Sequence, residues 1–244
     1  MVLRRPLPLW HRSPVADALD QLIVRHGAAR VHAVLAPMVS PDRLARIDQV
    51  LAARLGSLTV ITEDTYDPHN AAAAVRTAEA LGLCEFHAVE PTYHFSLPKG
   101  ITRGCHRWLE LHRWGDAAAC TAALRARGFV VMATLPAAAA TLDTLAVDRP
   151  VALMFGNEHA GLSPAAIAAC DGAVTIPMYG FTESFNLSVS VALAISKLAD
   201  RRRAHLGRPG DLEPDQVAHL RARWAALRIK GVIGVVERLL AEAR

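Results

Sequence analysis

Three short stretches of this 244-residue sequence hold side chains and backbone able to orient a reacting group. The first is Asp67-Pro68-His69-Asn70, followed by Arg76. The second is Gly156-Asn157-Glu158-His159-Ala160-Gly161-Leu162-Ser163-Pro164, and the third runs from Ile176-Pro177-Met178 to Ser184-Phe185-Asn186-Leu187-Ser188-Val189-Ser190. The third is rich in hydroxyls and amides. Ser184 and Asn186 are also the residue types that cap a helix by accepting its orphan backbone N–H groups. In the second, two glycines around a polar turn give a backbone that can approach a ligand closely. A tight turn without a ligand is the competing reading. The stretch is neither a phosphate-binding loop, since no Lys-Ser/Thr follows Gly161, nor a G-x-G-x-x-G dinucleotide fingerprint. Arg76 has Ala72, Ala73 and Ala80 as face neighbours, which leave its guanidinium unshielded, although an ordinary pairing with Glu79 three residues on would also account for it.

The elements that position these residues follow from periodicity. A strand is expected at Ser57–Thr62, then a helix from Asn70, as cap, to Gly82, as stop. Further strands are expected over Glu85–Glu90, Trp108–Leu111, Phe129–Thr134, Val151–Phe155 and Ala173–Met178, with a helix at about Gly115–Arg127. Leu187, Val191, Ala194, Ile195 and Leu198 recur at helical spacing. Alternating strands and helices from 57 to 203 imply an α/β domain with a mostly parallel sheet and helices on both faces. A strand–loop–helix junction in such a sheet is the usual place for a ligand site. Ahead of the sheet, helices are expected at Val15–His26 and Pro41–Leu55, separated by the apolar run Val31–Pro37. Behind it, helices are expected at about 214–228 and 231–243, the second with an apolar stripe of Val232, Val235, Val236, Leu239 and Leu240 that needs a partner surface. The division is therefore a helical extension over 1–50, a main domain over 51–205 and a helical tail over 206–244.

Composition narrows the classes. Hydrophobic residues make up 52% of the chain, so disorder is excluded as its general state. No apolar run reaches membrane-spanning length, so the chain should be soluble. Met1–Ser13 lacks the apolar core of a secretory signal and reads as a native extension of a cytoplasmic protein. The four cysteines show no C-x-x-C pairing and the eleven histidines no ligand spacing, so no metal site is expected. The net charge is +4, carried mainly by arginine clusters at 103–113, 201–208 and 221–230. Arginine matches phosphate bidentately and stacks on bases, so these clusters are candidate nucleic-acid contacts.

Taken together and in this order, the three stretches resemble the SPOUT superfamily, specifically the TrmH-type (SpoU) RNA 2′-O-ribose methyltransferases. The similarity extends over about residues 40–200, and Gly104-Cys105-His106-Arg107-Trp108-Leu109-Glu110 is similar to the tRNA-modifying branch. The resemblance implies a deep C-terminal trefoil knot, which general rules of chain topology would never suggest. It implies S-adenosylmethionine held by backbone groups at Thr134, Leu135, Gly156, Asn157, Ile176, Met178, Phe185 and Leu187, and a homodimer with the site near the subunit interface. It assigns catalytic positions to Asn70, Arg76, Glu158, Ser184 and Asn186. The resemblance offers two readings of Arg76: the base, against which stands that a guanidinium stays protonated at ordinary pH, or the holder of the phosphate next to the target ribose that polarises its hydroxyl, with Asn70 and Glu158 fixing geometry. Arg103, Arg107, Arg113, Arg201 and Arg202 are the implied RNA contacts. The short N-terminal extension tips the substrate towards tRNA, hence tRNA (guanosine(18)-2′-O)-methylation in the D-loop. Ribosomal RNA methylation, or non-catalytic RNA binding on the same scaffold, are the alternatives.

Overall fold

The computed structural model describes residues 9–10, 14–97 and 104–242. In chain order the elements begin with β1 (Leu9–Trp10), α1 (Pro14–His26), α2 (Ala28–Leu35), α3 (Pro41–Ala52), β2 (Leu58–Glu63), α4 (Pro68–Ala80), β3 (Glu85–Val89) and β4 (Glu110–Trp114). They continue with α5 (Ala117–Arg125), β5 (Val130–Thr134), β6 (Ala140–Thr141), β7 (Val151–Phe155), α6 (Pro164–Ala169), β8 (Gly172–Thr175), α7 (Leu187–Leu206), α8 (Pro214–Ala226) and α9 (Val232–Glu242). They form two compact units, one holding the sheet with α4–α7, the other α1–α3 with α8 and α9.

The sheet order is β1-β4-β3-β2-β7-β5-β8-β6. Every pairing is parallel except that of β1 with β4. A parallel sheet is covered on both faces, so its central strands are buried throughout, as β2 and β7 are. The residues of β7 divide by parity. Val151, Leu153 and Phe155 join the core under α4 and α7, while Ala152 and Met154 join the core under α5 and α6. The chain thus builds the two-faced α/β architecture that its periodicity predicts.

Element ends differ in informative ways. β4 begins at Glu110, because Cys105–Trp108 forms a 3-10 turn instead. β8 ends at Thr175, which leaves Ile176–Met178 in a loop. The Val31–Pro37 run contributes to a third N-terminal helix rather than a spacer. Gly27, at φ 85°, separates that helix from α1, and Val31 and Leu35 are its buried i, i+4 pair.

In the helical unit, Val232, Val236 and Leu240 of α9 pack with Leu19, Leu22, Ile23, Val31, Leu35, Ala222 and Ala226. The partner of the α9 stripe is therefore the N-terminal helices with α8. The extension and the tail, treated separately in the sequence reading, share one core. The Arg54 guanidinium lies 5.2 Å from the Trp224 ring centroid within this unit.

β3 and β4 bury a polar network on the α5 side. Their register sets His87 opposite His112. The Arg127 guanidinium donates to both Glu85 carboxylate oxygens. The Nε2 atoms of His87 and His112 each lie 3.4 Å from Glu85 Oε2, and the two rings stack at 4.7 Å. Trp114 Nε1 donates to His87 Nδ1 at 3.2 Å, so the His87 proton sits on Nε2. That tautomer offers Glu85 a hydrogen rather than offering an ion a lone pair. Glu85, His87 and His112, whose ligand atoms lie within 4.8 Å of one another, form a buried polar cluster that no ligand spacing in the sequence announced. Burial pushes His87 down to about 4. For Glu85 burial acts upward, but hydrogen bonds from Arg127, His112 and His87 outweigh it and hold the carboxyl well below its ordinary value.

Candidate active site

The loops that follow β5, β7 and β8, with the first turn of α7, enclose a cleft of about 800 Å³. Thr134, Leu135, Gly156, Asn157, Ile176, Met178, Phe185 and Leu187 all line it, together with Glu158 and Ser184. Parallel α/β sheets place ligand sites at these carboxyl ends of strands. Gly156 has a steric reason. A Cβ there would sit 2.1 Å from the carbonyl carbon of Gly161, because the loop doubles back and bridges Asn157 to Gly161. The Asn157 amide ties that fold down: Nδ2 donates to Asp64 O at 2.6 Å and Oδ1 accepts from His159 N at 2.8 Å. The Thr134 hydroxyl donates to Met154 O at 2.8 Å, leaving the loop backbone as the freer polar surface at that point.

A second cleft, of about 710 Å³, shares Glu158, His159, Ser184, Phe185 and Leu187 with the first and adds Tyr66, Asp67, Pro68, Asn70 and Asn186. A chain of hydrogen bonds runs along it. Ser188 N donates to Asn186 Oδ1 at 2.9 Å, Asn186 Nδ2 to Asn70 Oδ1 at 3.0 Å, and Asn70 Nδ2 to Glu158 Oε1 at 2.9 Å. Tyr66 N donates to Glu158 Oε2 at 3.2 Å. Every donor points towards the carboxylate, so each amide's orientation is fixed by its neighbour.

Local helix chemistry explains how this chain forms. Asp67, not Asn70, caps α4: its carboxylate accepts from His69 N at 2.8 Å, and Pro68 takes the first helical position. Asn70 therefore lies inside the first turn, with its side chain free to face the cleft. Asn186 is the cap of α7 and also donates to Asn70, so the same side chain ends the helix and joins the chain along the cleft. Ser184 lines both clefts and is exposed.

Arg76 is exposed on α4 and lines neither cleft. The implied RNA contacts fare unevenly. Arg107 is exposed. Arg202 is 8% exposed and donates to Ser57 Oγ and Val147 O, which corrects its assignment to RNA: it is a structural guanidinium. Arg113 donates to Glu90 Oε1 and Phe95 O, and Arg201 to Leu142 O, so both are occupied within the fold. Arg103 lies outside the described residues.

Sequence reasoning missed Glu63, Asp64 and Tyr66. The buried Glu63 carboxylate accepts from Ser163 N at 2.8 Å and Ser163 Oγ at 2.7 Å, pinning the second motif to β2. Asp64 has a left-handed backbone, φ 53°, unusual for a non-glycine residue. Its carboxylate accepts from Thr92 N and Tyr93 N at 2.9 and 2.7 Å. Two acids directly behind a fully buried strand were the available signal.

With this geometry in place, comparison with known proteins is informative. A model of the SpoU rRNA Methylase family matches residues 57–196. A Thermus thermophilus relative named tRNA (guanosine(18)-2'-O)-methyltransferase is 37% identical over 186 residues, which is 75% of this chain and 95% of that one. The crystal structure of the A. aeolicus TrmH/SpoU tRNA modifying enzyme superposes with a TM-score of 0.67 at 28% identity, covering 75% of this chain and 95% of that chain. That of an AdoMet-bound rRNA methyltransferase from Sinorhizobium meliloti gives a TM-score of 0.54 at 27% identity, over 63% and 58%.

Proposed function

The chain belongs to the SpoU rRNA Methylase family, and from that premise we propose that it transfers a methyl group to the ribose 2′-hydroxyl of a guanosine in the tRNA D-loop. It is an S-adenosylmethionine-dependent RNA 2′-O-methyltransferase. The observation that carries the reading is the Asn186–Asn70–Glu158 chain along the cleft adjoining the larger one. The larger cleft fits the cofactor: its volume lies in the range of small-molecule sites, and the loops after β5, β7 and β8 converge on it.

When bound, S-adenosylmethionine supplies an electrophilic methyl sulfonium. The chain's own residues supply position. Backbone groups of the Thr134–Leu135, Gly156–Asn157 and Ile176–Met178 loops hold the donor. Asn70 and Asn186, oriented through Glu158, fix the ribose, and Ser184 bridges both clefts. Alignment of this kind supplies much of the rate for an in-line transfer, in which the hydroxyl gives its proton to water as its oxygen takes the methyl group. RNA is read best where bases are unstacked, which favours a loop substrate.

The remaining parts of the reading concern the assembly. The loops around the cleft form the family's trefoil knot. The enzyme is a cytoplasmic homodimer; no helix among the described residues is long and apolar enough to cross a membrane. The dimer face is the α4–α7 surface, where Thr77, Ala80 and Leu193 line a shallow apolar cleft and Val189 and Leu193 are exposed. Arg76, on α4 and outside its own clefts, serves the partner's ribose site from there. The helical unit selects the RNA.

The test is methyl transfer from labelled cofactor to unmodified tRNA and, separately, to ribosomal RNA, followed by nucleoside analysis. A rise of 2′-O-methylguanosine in tRNA is expected. Labelling of ribosomal RNA alone would move the substrate, and no labelling of either would remove the activity.

A further inference from the structure

The second cleft carries an aromatic rim that the transfer chemistry itself does not require. Tyr66 is 58% exposed and Tyr93 44% exposed, yet neither ring is loose on the surface. They meet edge to face, with centroids 5.3 Å apart at 80°, and Tyr66 also meets the His159 ring at 6.0 Å and 65°. Such edge-on packing holds a ring while leaving a face open.

The backbone under each ring is tied into the site. Tyr66 N is held by Glu158, the carboxylate that orients Asn70. Tyr93 N is held by Asp64, the residue in the left-handed conformation. His159 N is held by Asn157, whose amide is in turn bonded to Asp64 O. Three rings from three separate loops are thus held in place, Tyr66 by the Asn186–Asn70–Glu158 chain and Tyr93 and His159 by the linked Asp64 and Asn157. Phe185, 40% exposed, lines the same cleft. The Asp64 carboxylate, accepting from Thr92 N and Tyr93 N, is what ties the Tyr93 loop to this rim.

We propose that Tyr66, backed by Tyr93 and His159, is the stacking surface for an RNA base at the methylated nucleotide, and so a positioning residue for the reaction. The inference rests on the methyltransferase reading above. An exposed aromatic face beside a ribose site takes an unstacked base, because every base has a π-face, and each such stack matters about tenfold or more in binding. No contact with the methyl donor is assigned to Tyr66, since it lines only the second cleft.

The experiment compares Tyr66→Ala, Tyr66→Leu and Tyr66→Phe with the wild type. Readouts are steady-state kinetics on unmodified tRNA transcript and calorimetric binding of S-adenosylmethionine. Tyr66→Ala and Tyr66→Leu should each raise the KM for tRNA about tenfold or more, with cofactor affinity within about threefold of wild type. Leucine keeps bulk without a π-face, so it guards against a collapse peculiar to alanine. Tyr66→Phe should bring KM back to within about threefold of wild type. Unchanged KM in Tyr66→Ala, or equal losses in all three variants, would overturn stacking while leaving the methyltransferase reading intact. A wild type that binds the cofactor but methylates no RNA would take down that reading and the stacking with it.

Discussion

Asn186 shows how one residue serves structure and chemistry together. Its Oδ1 caps α7 by accepting from Ser188 N, and its Nδ2 donates to Asn70. A cap and a site residue look identical in sequence, because the same carboxamide does both. Asn70 shows the opposite error: read as a cap, it is released by Asp67, which takes that role three residues earlier. Arginines were the least legible residues, since charge alone does not tell a phosphate ligand from an internal tie. Arg202 and Arg107 separate the two cases. Arg202→Ala should lower stability by about 1–3 kcal/mol, because it strips the Ser57 hydroxyl and Val147 carbonyl of their donor. It should leave the salt dependence of RNA binding unchanged, by thermal melting and filter binding. Arg107→Ala should leave the melt unchanged, weaken RNA binding and reduce the salt slope by about 1.

Among the elements, the strands, their parallel character and the buried stripe of α7 were largely readable, because apolar runs alternate with helical spacing, whereas the strand order was not. Strand ends were not readable. Ile176-Pro177-Met178 continues the apolar run of β8, yet its residues leave the sheet to line the cleft. The turn over 156–161 was readable from its two glycines, but not that the Gly161 backbone returns onto Gly156. Gly156→Ala should cut S-adenosylmethionine affinity at least about tenfold, since the new Cβ would overlap the Gly161 backbone; calorimetry reads this directly. The β3–β4 network gives a pH prediction. His87 falls from 6.5 to about 4 in the fold, so on acidification the unfolded chain takes up the proton first. Its contribution is complete above about pH 6.5 and is lost as the pH falls towards about 4, on the order of 3 kcal/mol in all. Glu85, held below its ordinary 4.5, acts in the same sense at lower pH. Melting temperatures between pH 7 and pH 4 should fall, and His87→Gln should flatten that profile.

For the whole molecule, the packing of the N-terminal helices with α8 and α9 was beyond the sequence, since an amphipathic stripe states that it needs a partner but not which one. The knot and the dimer came from resemblance alone. The position of Arg76 gives the dimer a functional test. If Arg76 serves the partner's cleft, mixing inactive Arg76→Ala and inactive Asn70→Ala chains creates one intact site per mixed dimer. Activity should then recover to as much as about half per mixed dimer, measured by methyl transfer after co-refolding. Recovery absent from verified mixed dimers would place Arg76 in its own chain's site or outside the chemistry. The most direct test of the central claim, that the Asn186–Asn70–Glu158 chain holds the ribose oxygen in place, is the single-turnover rate of methyl transfer to tRNA by wild type and Asn70→Ala. The account predicts a rate about 100-fold lower in the variant, with cofactor affinity within about threefold. An unchanged single-turnover rate in Asn70→Ala would contradict it.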